Sequence, residues 1–140
     1  MKRIVIIAAV VLIVSSTVFI LIDSFSKNSG EEHLYVMYDK SSFSDFNVVG
    51  DKIHINCEIV VKNTDSQAKT FKMTAAMKEE VSLGMLKSAD VPGYSVNLTT
   101  DEFKLPGDSE FSFYVVFIGD FAGSFTKTDR LPPTVTITEV

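Results

Sequence analysis

Residues 33–140 read as an all-β domain, an antiparallel sandwich of two sheets, preceded by a single N-terminal transmembrane helix. Three observations in the 140-residue sequence predict this. Apolar and polar residues alternate with period two in several separate stretches, the pattern of strands that bury one face. Clusters of Gly, Asn, Asp, Ser and Pro fall between those stretches and supply turns. One uncharged apolar run near the N-terminus has the length of a bilayer crossing.

That run is Ile4–Ile22, 19 residues interrupted only by Ser15, Ser16 and Thr17. As a helix it extends about 28 Å, close to the thickness of the hydrocarbon core. Lys2 and Arg3 precede it and Asp23 follows, so the positive-inside rule leaves the N-terminus in the cytoplasm and the body outside. The alternative is a signal peptide cleaved near Val14-Ser15-Ser16, which would secrete the domain. Against it, Val18–Ile22 carries the apolar run past that point. Residues 1–22 are therefore assigned as a signal anchor, 23–32 as a polar tether and 33–140 as the extracytoplasmic domain. Outside the anchor the chain carries 11 basic and 18 acidic residues. An acidic body is repelled by an anionic membrane surface and stands off it.

Along the domain, His33–Met37 and Phe43–Val48 predict two weaker strands. Ile53–Lys62 is the clearest, with Ile53, Ile55, Cys57, Ile59 and Val61 on one face and His54, Asn56, Glu58 and Lys62 on the other. Only Val60 breaks the pattern. Lys69–Met77 repeats it through Phe71, Met73, Ala75 and Met77, and is expected to pair with the preceding strand as a hairpin across Asn63–Gln67. Glu79–Lys87 suggests a helical turn or a loop capping one end of the sandwich, with Gly84 weakening the helix. Tyr94–Thr100 sets Tyr94, Val96 and Leu98 against Ser95, Asn97 and Thr99. Glu110–Ile118 points Phe111, Phe113, Val115 and Phe117 inward, and Thr134–Val140 alternates Val135 and Ile137 with threonines. Seven short strands in about 108 residues fit a sandwich.

Two motifs carry a resemblance. Val60-Val61-Lys62-Asn63-Thr64, followed by Ala68-Lys69-Thr70-Phe71, and Leu105-Pro106-Gly107-Asp108-Ser109 before the strand ending at Phe117, resemble the strand–turn–strand pattern of bacterial extracytoplasmic immunoglobulin-like domains. The similarity covers most of residues 43–140. It implies an immunoglobulin-like sandwich at the cell envelope, tethered to the membrane, and it carries over no catalytic residue.

The composition excludes several chemistries. A net charge of −5 and a pI near 4.9 do not suit a nucleic-acid binder, which needs a basic face. One cysteine allows no disulfide within the chain and no cysteine-based structural zinc site. The only imidazoles are His33 and His54, and no Gly-x-Ser-x-Gly elbow accompanies them, so no catalytic residues are assigned and the chain reads as non-enzymatic. Cys57, on an inward face, reads as a buried small hydrophobe. Asp101, Glu102, Asp108, Glu110 and Asp120 lie at strand ends without calcium-loop spacing, and read as a solvated acidic rim. Asn97-Leu98-Thr99 matches a glycosylation triplet, a pattern that arises often by chance. No metal or other cofactor is expected.

What is left is a surface. Ser112, Tyr114, Val116 and Ile118 form the outward set of their strand, and three apolar residues in register exceed what an exposed face needs. Either Val81, Leu83, Met85 and Leu86 cover this stripe as a lid, or a partner does, with Tyr114 as anchor. The long loop Gly119–Pro133 adds Phe121 and Phe125, which either plug the open end of the sandwich or extend the binding surface. The candidate partner surface is thus Tyr114, Val116, Ile118, Phe121 and Phe125. The function expected is non-enzymatic binding of a protein or cell-envelope partner by a domain held to the membrane through residues 4–22. The alternative is an accessory subunit of a membrane transport or secretion assembly in which the anchor helix does the work.

Overall fold

In the computed structural model, residues 33–124 and 131–140 are described. The apolar run 4–22, the tether and Phe125 lie outside them. Among the described residues no helix is long and apolar enough to cross a membrane.

The chain is all-β and antiparallel. Eight strands follow in order: β1 Leu34–Val36, β2 Ser42–Val49, β3 Lys52–Asn63, β4 Lys69–Ala76, β5 Asp90–Ser95, β6 Phe103–Leu105, β7 Ser109–Asp120 and β8 Thr134–Glu139. A five-residue helix, α1, covers Lys78–Ser82 between β4 and β5. β3 is central to one layer, flanked by β7 on one edge and by β1 and β2 on the other. β4 is central to the second, with β8 on one edge and β5 and β6 on the other. The alternating residues do what their period requires. Ile53, Ile55, Cys57, Ile59 and Val61 from β3 meet Phe71, Met73 and Ala75 from β4 in a single core, where burial of apolar area supplies the main stabilisation.

The two layers are not separate sheets. β5 pairs through Asp90–Pro92 with β4 and through Gly93–Ser95 with β7, so one eight-stranded sheet folds over on itself. The switch falls at Pro92-Gly93. A Cβ on Gly93 would lie 2.8 Å from Val115 Cγ1 and 2.9 Å from Phe117 Cε1, so only glycine lets the strand cross this close to β7.

Two expectations are corrected. β3 and β4 do not form a hairpin, because the chain changes layer between them. The Asn63 side chain turns inward, donating from Nδ2 to the carbonyls of Gln67 and Pro106 at 2.9 and 3.1 Å, while its Oδ1 accepts from the Asp65 N–H. This ties the turn to the segment before β7 instead of laying β4 back along β3. The strand expected over 94–100 ends at Ser95. Asn97 Oδ1 accepts from Ser95 Oγ and Thr99 Oγ1, Leu98 adopts φ +58, and the Ser95 N–H donates to the Thr100 carbonyl. Local turn chemistry overrides the alternation there.

Both ends of the roll are built from identifiable parts. At one end lie His33, which accepts the Thr64 N–H, the turns after β3 and before β7, and Val140, whose N–H donates to the Thr70 carbonyl. At the other lie the β2–β3 turn, α1 and the start of β8. The free edges of β1–β2 and β8 meet at a seam, where the Tyr38 hydroxyl accepts from the Val135 N–H at 3.1 Å and donates to its carbonyl at 3.3 Å.

Candidate functional site

The outer face of β3, β7 and β5 carries the apolar stripe. Register places Tyr114 opposite Glu58, Val116 opposite Asn56 and Ile118 opposite His54, with Tyr94 of β5 on the other side of Val116. Tyr114 is 64% exposed. β5 stops pairing at Ser95, opposite Val115, so β7 has no β5 neighbour from Tyr114 toward its start. Val96, one step past the last pair and level with Tyr114, is 68% exposed. Val116, between Asn56 and Tyr94, is buried, and Ile118 is half-buried. Contact area on this face therefore comes from the rings of Tyr114 and Tyr94, with Ile118 and Val96 beside them. Its polar border includes Ser112, which donates to Glu58 Oε1.

The segment expected as a lid lies elsewhere. Met85 and Leu86 are buried in the core, and Leu86 packs so tightly over Gly119 that a Cβ there would lie 2.5 Å from Leu86 Cδ2. Gly119 pairs with Ile53 on the inward side. The segment closes the end of the core and leaves the stripe alone, because Leu86 bridges to Phe121 past the end of β7. Phe121 is half-buried against that core, with its N–H donating to the Asp51 carbonyl. Leu83 stays exposed.

Phe111 departs from its expected inward place and is 57% exposed. It stacks at the edge of Phe113, 4.9 Å away, while Phe113 with Phe71 and Phe103 fills the core behind it. The alternation grouped Tyr94 with Val96 and Leu98 without saying which way that set faces. With Val91 and Gly93 buried on the inward side, Tyr94 must point out. The only signal available was Gly93, where a side chain is missing from an inward position.

His33 and His54 sit toward opposite ends of β3, beside Thr64 and opposite Ile118 respectively. Cys57 is buried, and burial pushes its thiol up to about 12. Asp120 is held below its ordinary value by a hydrogen bond from Lys52, and Asp65 by the Gln67 N–H and then Lys69. Among the described residues no three His, Cys, Asp or Glu side chains group to hold a metal. No known protein family, curated protein or solved structure matches the chain.

Proposed function

We propose that this chain is a non-enzymatic binding domain of the immunoglobulin-like kind, held at the outer face of a membrane through residues 4–22. In this reading it engages a protein or cell-envelope partner through the outer face of β3, β7 and β5. The observation that carries the reading is Tyr114, 64% exposed on a sheet face that also carries Ile118 of the same strand and Tyr94, in register with Val116. A large ring with a polar tip, beside other apolar groups, is the usual anchor of an interface. The anchoring and orientation rest on Ile4–Ile22 following Lys2-Arg3.

The test is site-specific photo-crosslinking in intact cells. A crosslinking residue at Tyr114 is expected to give a discrete adduct, and one at Lys104, exposed on β6, is expected to give none. Tyr114→Glu in the same chain should remove capture of the adduct's partner and leave the melting temperature within about 2 °C, as an exposed substitution does. Equal adducts from both positions, or a large drop in melting temperature, removes this face from consideration.

A further inference from the structure

β7 pairs along its whole length with β3 but only over residues 115–117 with β5. Among the described residues no strand pairs with 110–114 on the β5 side. The backbone groups left open there can be named. Val60, in register with Ser112, turns its own groups away from β7, its N–H donating to Ser41 Oγ at 3.0 Å and its carbonyl accepting from the Met37 N–H at 2.8 Å. Opposite residues of an antiparallel pair either bond to each other or both face away, so the N–H and carbonyl of Ser112 face the open edge. Those of Glu110 and Tyr114, two residues to either side, face it too. β5 agrees, because the Ser95 N–H donates to the Thr100 carbonyl and not to Val115, its register partner. The bonded pair on that side is therefore Tyr94–Val116, in step with the same three residues. Among the described residues no loop bonds to their backbone.

We infer that a second copy of this chain pairs at this edge, β7 against β7, antiparallel about a two-fold axis at Ser112. A row of open donors and acceptors calls for an extended strand, and this edge is its own complement. Ser112 meets Ser112 of the second copy in a doubly bonded pair. Glu110 falls opposite Tyr114, so a carboxylate already held by Lys40 at 3.0 Å gains a hydroxyl donor, and no like charges face each other. Phe111 falls opposite Phe113 in the closely spaced, non-bonded kind of pair, where side chains stand nearest. The pairing thereby covers Phe111, which is 57% exposed beside Phe113 on the inward side of its strand. Five paired residues are far fewer than the roughly 20 a side of a stable soluble interface. The copies therefore pair where a membrane concentrates them, a step that rests on the anchor assigned to residues 4–22. The edge lies beside the Tyr114 face, and the pairing does not depend on what that face binds.

The experiment is register-specific disulfide formation in cells expressing the full chain, oxidised with copper–phenanthroline. Cys57 is buried and takes no part. Ser112→Cys is expected to give a covalent dimer with itself, since bonded antiparallel partners stand about 5.5 Å apart at Cα, within disulfide reach. Glu110→Cys and Tyr114→Cys should each stay monomeric alone, their symmetry mates lying about 14 Å out of step along the strand. They should join when chains carrying one each are co-expressed. Adding Ser112→Pro to that mixed pair should lower its yield about tenfold or more, because two hydrogen bonds are lost at the axis. The Ser112 N–H faces the edge and not β3, so the β3–β7 ladder keeps its bonds. Ser112→Ala, which keeps the N–H, should leave the yield unchanged. The register test stands whether or not the proline variant folds. No disulfide from Ser112→Cys, or equal yields from the mixed pair and from each single variant, overturns the pairing, even where a photo-adduct of Tyr114 with another protein upholds the face. An unchanged yield with proline, or an equal fall with proline and alanine, overturns backbone pairing at this edge.

Discussion

Cys57 lies between Ile55 and Ile59 on β3, with Val115 and Phe43 on its two neighbouring strands. Burial raises its thiol to about 12, so almost no thiolate exists at neutral pH, and the thiolate is the reactive species. A maleimide is expected to leave the native domain unlabelled over hours and to label it fully in denaturant. Rapid native labelling would show that the inward face of β3 is wrongly assigned. That inward position was legible in the alternation, whereas the exposure of Phe111 was not, because period two says which side a residue takes and not where the opposing layer ends. The carboxylates give a second test at this scale. Asp65 and Asp120 are held below the ordinary value of 3.8, so the folded state binds their protons more weakly than the unfolded chain does. Their stabilisation is present in full above that value and is lost as pH falls from it through the lower folded-state value. Asp120→Asn should therefore melt slightly below the parent at neutral pH and converge with it in acid, once pH has fallen below the lowered folded-state value. A constant difference across that range would mean the carboxylate charge contributes nothing.

At the scale of elements, the turn after β3 and the turn before β7 prove to be halves of one joint. Asn63, buried and using both ends of its amide, holds the β3–β4 turn against Pro106, and the Asp108 N–H donates back to the Asp65 carbonyl at 2.8 Å. Gly107 fits between them with no room to spare. A Cβ there would stand 2.1 Å from the Ser66 carbonyl oxygen, a backbone atom that cannot swing away. Gly107→Ala is expected to destabilise the domain by about 2 kcal/mol or more, since the joint must part to admit a methyl group. Gly50→Ala in the β2–β3 turn meets no atom within 4 Å and suffers only from its φ of +62, about 1 kcal/mol. Denaturant melts of the two variants measure the difference, and equal losses would discount the joint. The strands themselves were largely visible in sequence. Their pairing was not, because the Asn63 amide finds Pro106 43 residues away, and no local pattern reports a partner at that distance. The same blindness hid the start of β5 and all of β6, where Pro92-Gly93 and a three-residue strand leave too short a run to show a period.

For the whole molecule, the decisive feature is that one sheet rolls up without fully closing. A sandwich was the natural expectation from seven alternating segments, and the doubly paired β5 turns it into something closer to a barrel. Rolling leaves two free edges, and free edges invite pairing with other chains unless they are covered. Tyr38 covers this one. It stands in the short connection between β1 and β2, and its hydroxyl occupies both hydrogen-bonding groups of Val135 on β8, taking the place of a neighbouring strand. Removing the hydroxyl while keeping the ring isolates that role. Tyr38→Phe should cost about 1 kcal/mol, one to two hydrogen bonds lost at a partly exposed site, and lower the melting temperature by about 4–8 °C in a domain of this size. Because the loss is local to the seam, amide exchange at Val135 should quicken by more than the global change, while Ile55 and Ile59 on β3 slow or quicken only with overall stability. Uniform acceleration across both edges and centre would mean that Tyr38 acts through packing alone, and the seam would then be held by the two layers of the roll and not by this hydroxyl.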